Sequence, residues 1–208
     1  MKIDIFFDPT CPWCYIGKAK LDQALQSENG GVRSDIVLRW RCFRLNPGLP
    51  EGGITRRQYV KIKFGSEKVI QDLQNKIIET GHDLNLQFNF DRIERTPNTL
   101  LCHRAALLAE REGKADTYVE ALFRAYFVDG YDIGDPTILM SLAKEVGLPS
   151  EALGTLFAGE DLIKEVLEDE QESRRRDIRG VPFYIFDEKF TLSGAQPKEV
   201  FHEMMALA

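Results

Sequence analysis

The sequence predicts an α/β domain interrupted by a long all-helical insertion. Three observations carry this prediction: a strand, a helix and a second strand open the chain, two strands and a helix close it, and the stretch from about Thr55 to Asp177 has helical periodicity with no convincing strand. The predicted division assigns residues 1–50 and 178–208 to the α/β domain and 51–177 to the insertion. At 208 residues the chain can bury a core of its own without disulfide or metal staples.

Lys2 to Phe7 combines β-branched and aromatic residues and stops at Asp8-Pro9, a buried strand meeting a turn. From Cys11 the spacing becomes helical through Ile16, Leu21 and Leu25, and Asn29-Gly30-Gly31 is the predicted breaker. Ile36 to Phe43 is apolar and then alternating, a second strand that completes a βαβ unit. In the insertion, Asn98 to Arg111 carries an apolar stripe through Leu101, Ala105, Leu108 and Ala109. Tyr118 to Phe127 repeats the pattern with Leu122, Phe123, Tyr126 and Phe127. Asp135-Pro136 opens the next helix with an acidic N-cap and proline at its first position, and Gly147 closes it. Leu148-Pro149-Ser150-Glu151 starts another, and Glu160 to Arg176 is a charged helix with Leu162, Ile163, Val166 and Leu167 as its apolar positions. Strand character returns at Val181 to Phe186, turns at Asp187-Glu188-Lys189, continues through Phe190 to Ser193, and gives way to a helix from Pro197 to about Ala206.

The pair Cys11-Pro12-Trp13-Cys14 stands at the junction of the first strand and helix. A cysteine at a helix N-terminus faces unpaired N–H groups and the positive end of the macrodipole, which favour the thiolate. Such positions lower a thiol pKa from ~8.5 to ~3.5–7.5. Cys14, one turn on, is close enough to form a ring with Cys11 and is expected to be more buried. The pattern therefore predicts an exposed nucleophile and a resolving partner. Pro12 suits the first helical position because its missing N–H costs nothing there. Trp13 either covers the sulfur pair or offers an apolar surface to a substrate. The second element is Arg179-Gly180-Val181-Pro182, which introduces a late strand. Pro182 there is either an edge residue or the second half of a cis Val181-Pro182 bond whose backbone faces the cysteines, where a substrate docks as an added strand.

The ordered set Cys11-Pro12-Trp13-Cys14, a helical insertion, Gly180-Val181-Pro182 and the Ser193-Gly194-Ala195-Gln196 tail resembles the DsbA-like oxidoreductases, and within them the cytoplasmic FrnE-like branch. Trp40 to Pro47 and Pro97-Asn98-Thr99 extend the resemblance over essentially the whole chain. It implies a thioredoxin-like fold interrupted by the helical insertion, with Cys11 as nucleophile, Cys14 as resolving thiol, and Val181 and Pro182 as a substrate-binding cis-proline site. The implied activity is that of a protein disulfide oxidoreductase acting on protein or small-molecule thiols and disulfides, with no bound cofactor. Glutathione enters as a redox partner or co-substrate. The same superfamily holds kappa-class glutathione transferases and hydroxychromene-carboxylate isomerases, which usually carry serine at the position of Cys11. Keeping both cysteines favours dithiol chemistry over a glutathione-dependent transferase or isomerase. A chaperone or partner-binding module that uses an apolar groove of the insertion is the non-enzymatic alternative.

Composition narrows the classes further. With 43% hydrophobic and 29% charged residues the chain fits neither the disordered nor the membrane class. Its net charge of -6 argues against nucleic acid as the main partner. No segment approaches ~18 uninterrupted apolar residues, and the start lacks the pattern of a signal peptide, so the expected location is the cytoplasm. Four cysteines are too few for a disulfide framework. A zinc site would need two ligands besides Cys11 and Cys14, and Cys42, Cys102, His82, His103 and His202 repeat no ligand spacing, so no metal is expected. Cys42 and Cys102 fit as buried small hydrophobes. His103 fits the surface or insertion packing. Arg174-Arg175-Arg176, flanked by Glu168, Asp169, Glu170, Glu172 and Asp177, fits a solvated helix face. Phe123, Tyr126, Phe127 and Tyr131 fit the insertion core.

Overall fold

The computed structural model describes residues 1–26 and 35–208. The predicted breaker Asn29-Gly30-Gly31 lies outside the described residues. Strand β1 (Lys2–Phe7) is central, with Ile3, Ile5 and Phe7 on one face and Lys2, Asp4 and Phe6 on the other, all but Lys2 buried. It pairs in parallel with β2 (Val37–Cys42), from Lys2 opposite Val37 to Phe7 opposite Cys42. Helix α1 (Pro12–Leu25) leads out of β1 on the way to β2.

The next pairing departs from the prediction. Ile54–Thr55 (β3) and Arg95–Thr96 (β4) form a two-residue antiparallel ladder, so the segment between the two halves of the large sheet is predominantly helical rather than all-helical. Two residues cannot display a period-2 alternation, and Thr55 also serves as a helix cap, which masks the strand. Its hydroxyl accepts from the Gln58 N–H while the Gln58 side chain accepts from the Thr55 N–H, a capping box that starts α2 (Arg56–Phe64). Ser66 caps α3 (Glu67–His82) through the Val69 N–H at 3.3 Å.

Helices α4 (Leu100–Arg111), α5 (Ala115–Phe127), α6 (Pro136–Glu145), α7 (Ser150–Ala158) and α8 (Ile163–Arg175) follow, close to the predicted bounds. Asp135 caps α6 by accepting from the Thr137 N–H at 2.7 Å, with Pro136 behind it at the first helical position. Strand β5 (Phe183–Phe186) returns antiparallel to β1, pairing Ile5 with Tyr184 and Ile3 with Phe186. Strand β6 (Phe190–Ser193) pairs with β5, and α9 (Lys198–Leu207) packs on α1. The sheet order is β2-β1-β5-β6.

Alternation along β1 divides the core. Ile3, Ile5 and Phe7 face the main cluster with Trp40, Tyr184, Phe186 and the rings of α5, whereas Phe6 packs with Ile185 and Ile178 on the other face. The main cluster is continuous from the large sheet into the helical segment. Phe123 of α5 sits 6.2 Å from Phe7, 5.3 Å from Tyr15 and 6.4 Å from Phe127, and Phe88 joins Tyr15 to Phe127. This aromatic contact seats the helical segment against α1, directly behind the cysteine pair. Phe123, Tyr126 and Phe127 are core residues as predicted, while Tyr131 is exposed. Arg174, Arg175 and Arg176 lie on the predicted solvated face and pair with Glu170 and Glu172.

Candidate active site

Helix α1 begins where β1 ends, and the turn between them is built by Asp8. Its main-chain carbonyl accepts from the Cys11 N–H at 3.0 Å, and one carboxylate oxygen accepts from the Thr10 N–H at 2.8 Å and the Thr10 hydroxyl at 2.6 Å. The other oxygen accepts from the Leu45 N–H at 2.9 Å and the Thr99 hydroxyl at 3.1 Å. One buried carboxylate thus ties together the turn before the cysteines, the loop after β2 and the start of α4. Four donors surround a group whose burial as a bare charge would be costly, which accounts for its tolerance in the core.

Cys11 is the N-cap of α1 in extended backbone conformation (φ -90°, ψ 110°), with Pro12 at the first helical position as predicted. Its carbonyl accepts from the Cys14 N–H at 3.0 Å, closing the first turn. The thiol donates to the Val181 carbonyl at 3.4 Å, and the Val181-Pro182 peptide bond is cis. The two sequence elements 170 residues apart therefore meet, with Cys11 and Val181 in contact. The prediction of an exposed Cys11 needs correction: the residue is 5% exposed and Cys14 is 1% exposed. The order of burial is as predicted, but the β5 entrance and the surrounding core cover Cys11. Pro12 and Trp13 are partly buried, and Trp13 packs on the main core cluster.

All four cysteines are free thiols. Burial pushes the Cys14 thiol well above its ordinary pKa. A hydrogen bond and charge from the Cys11 sulfur add to that, and a backbone hydrogen bond from Asp8 opposes it. Beside them, burial pushes the Tyr15 phenol up to about 12, with Glu120 adding to the shift. Cys42 and Cys102 are buried away from this pair, as expected of small hydrophobes. Cys42 lies at the end of β2, where its N–H donates to Asp169 at 2.8 Å, and the Cys102 thiol donates to the Ile133 carbonyl at 3.0 Å.

For His103 the sequence left surface and insertion packing open. Packing, not the surface, is the one of the two expected placements that the fold shows: the residue lies fully buried, its ring edge-on to Phe7 at 5.1 Å, with neither nitrogen hydrogen-bonded. Burial holds its pKa down against the opposing pull of Asp8, so the neutral ring is favoured. Sequence reasoning also passed over Asp8 and Thr99. An Asp before Pro reads as turn chemistry, and only the fold reveals that its carboxylate is shared between three distant segments. Among the described residues, no group of three or more His, Cys, Asp and Glu side chains is arranged to hold a metal ion. Nor is any helix among them long and apolar enough to cross a membrane.

The arrangement has counterparts. A probable DsbA oxidoreductase, SCO1869 from Streptomyces coelicolor, superposes with a TM-score of 0.89 at 29% identity, covering 100% of this chain and 89% of that one. The cytosolic disulfide reductase DsbM from Pseudomonas aeruginosa, in a structure with GSH, matches with a TM-score of 0.71 at 20% identity over the full length of both chains, a likeness of fold alone. In sequence, the uncharacterized protein YwbO of Bacillus subtilis (strain 168) is 26% identical over 209 aligned residues, 99% of this chain and 96% of that protein. Residues 2–206 match the DSBA-like thioredoxin domain, and the chain, with its thioredoxin fold and interposed helices, belongs to that family.

Proposed function

We propose that the protein is a thiol–disulfide oxidoreductase in which Cys11 is the nucleophile and Cys14 the resolving thiol. In the reductive direction the Cys11 thiolate attacks one sulfur of a substrate disulfide. A Cys11–substrate disulfide forms, and the first substrate sulfur leaves as a thiolate that takes up a proton. Cys14 then gives up its proton and attacks the Cys11 sulfur, forming the Cys11–Cys14 disulfide and releasing the second substrate thiol. Two electrons pass from the dithiol to the substrate. Run backwards, the same steps oxidise a substrate dithiol.

The observation that carries this reading is the placement of Cys11 at the N-terminus of α1, in contact with the Val181 carbonyl, with Cys14 one turn below it. Family membership supports it. Val181 and Pro182 are the proposed substrate-contacting backbone. The substrates are thiols and disulfides of proteins or small molecules, with a thiol such as glutathione restoring the dithiol or acting as a co-substrate, and the proposed location is the cytoplasm.

Single-turnover reaction with a glutathionylated peptide tests the roles. Cys11→Ser should lose several orders of magnitude in rate, the scale seen when a catalytic nucleophile is removed, and Cys14→Ser should accumulate a disulfide between Cys11 and the peptide or the glutathione, whichever sulfur is attacked. An active Cys11→Ser variant, or a Cys14→Ser variant that turns over normally with glutathione, would move the assignment to glutathione-dependent chemistry.

A further inference from the structure

Tyr184 lies on β5 two residues after Pro182, and its hydroxyl is buried with no hydrogen-bond partner. Leaving such a group unpaired costs stability, and a phenol buried in a core normally finds an acceptor. Its location follows from Gly17. A Cβ placed on Gly17 would collide with the Tyr184 hydroxyl and come within 2.9 Å of Pro182 Cγ, so both groups rest directly on the Gly17 backbone. Gly17 is one helical turn beyond Cys14 on the same face of α1. At the other end of that face, Val181 accepts from the Cys11 thiol. The start of β5 therefore spans the row from Cys11 through Cys14 to Gly17, with Cys14 between the two points of contact. The ring itself is held edge-on against Phe201 of α9, 4.9 Å between centroids, and a hydroxyl turns its proton to suit the acceptor it meets. Burial, and after it the charges of Cys14, Cys11 and Asp22 in that order, push the Tyr184 phenol well above its ordinary value and favour its protonated, donor form.

We infer that the Tyr184 hydroxyl is the hydrogen-bond donor reserved for the Cys14 thiolate, unpaired while Cys14 is a thiol and engaged when Cys14 ionises to attack the Cys11–substrate disulfide. Cys14 is otherwise poorly placed to ionise: it is buried, and the titratable groups facing it are Cys11 on its own turn, Asp8 from the end of β1 and Tyr184 from β5. Asp8 brings a negative charge together with a backbone N–H that donates to Cys14, the Cys11 sulfur is bonded to substrate in the resolving step, and of these side chains Tyr184 is then the proton donor. In the resolving step Cys14 loses a proton to solvent, its sulfur forms the bond to Cys11, the Cys11–substrate bond breaks, and the departing substrate thiolate is protonated. Tyr184 donates a hydrogen bond throughout and is itself neither oxidised nor deprotonated.

The inference rests on the dithiol reading of Cys11 and Cys14, but its test is separable from that reading. In a Cys11→Ser background, the pH dependence of iodoacetamide reaction at Cys14 is followed with and without Tyr184→Phe. Loss of one hydrogen bond to a charged sulfur should raise the midpoint by about one pH unit. With Cys11 intact, the same change should lengthen the life of the Cys11–peptide mixed disulfide about tenfold at pH 7, with the loss shrinking as pH rises. An unchanged midpoint in a folded Phe variant overturns the inference whether or not the protein proves to be an oxidoreductase. Failure of the wild type to form a Cys11–Cys14 disulfide overturns the redox reading while leaving the alkylation result interpretable. Should the Phe variant not fold, the 13Cζ resonance of Tyr184 in the Cys11→Ser protein decides. It should shift with the Cys14 titration and lose that shift in Cys11→Ser/Cys14→Ala, and a resonance indifferent to Cys14 contradicts the contact.

Discussion

At the scale of single residues, the cysteines and the Val181-Pro182 segment were legible because their chemistry is local. A Cys-x-x-Cys pair at a strand-to-helix junction, and a Gly-Val-Pro before a strand, mark their elements through neighbours in sequence, whereas the cis bond, its contact with Cys11 and the burial of Cys11 are seen only in the fold. Asp8, Thr99, His103 and Tyr184 were not legible, because each owes its importance to a residue far along the chain: Asp8 reaches Leu45 and Thr99, His103 lies against Phe7, and Tyr184 covers Gly17. Asp8 gives the residue-scale prediction. Replacing it with Asn keeps the shape but turns one acceptor oxygen into a donor NH2 group facing groups that are themselves donors. Chemical denaturation of Asp8→Asn should show a loss of about 2 kcal/mol or more, the order expected for leaving buried donors unpaired. A neutral substitution would mean that the shared carboxylate does not hold the three segments together.

At the scale of elements, the strands and helices with several full periods of pattern were found where the sequence placed them, and the β3–β4 ladder was missed because it is two residues long on each side. The seating of α1 on β5 is a contact between elements that periodicity cannot supply. Its signature is a glycine inside a helix, where alanine is ordinarily the better residue by about 1 kcal/mol. Gly17→Ala reverses that preference, because the added methyl meets the Tyr184 hydroxyl and Pro182. The variant should be less stable by about 1–3 kcal/mol, the range for overpacking, and Gly17→Ala/Tyr184→Phe should recover part of the loss. Thermal unfolding of the three variants checks both statements, and a stabilised Gly17→Ala protein would show that α1 and β5 are not in close contact.

At the scale of the whole molecule, the sheet and the intervening helices share one continuous core, and burial in that core favours the neutral form of its thiols and phenols. Burial pushes the thiols of Cys14, Cys42 and Cys102, and the phenols of Tyr118 and Tyr184, well above their ordinary values. A folded pKa raised above the unfolded one means that stability is fully present below the unfolded pKa and is lost as pH rises toward the folded value. The reduced protein should therefore hold its stability through neutrality. It should then weaken from about pH 8.5, where unfolded thiols ionise, by up to ~1.4 kcal/mol per pH unit for each buried thiol, and more steeply above about pH 10. Urea unfolding as a function of pH measures the slope, and Cys42→Ala should make it shallower. A stability flat to pH 10.5 would contradict the burial of these groups.

The dithiol chemistry is the central claim, and it depends on Cys11 and Cys14 forming one reversible two-electron couple across the N-terminal turn of α1. The most direct test equilibrates the purified protein across reduced and oxidised glutathione, quenches it in acid, alkylates the free thiols and maps the peptides that carry each cysteine. The prediction is a single transition in which Cys11 and Cys14 lose reactivity together and become linked to each other, with Cys42 and Cys102 remaining thiols throughout. Cys11 and Cys14 remaining free across the whole range, or Cys11 alone ending as a stable glutathione adduct, would contradict it.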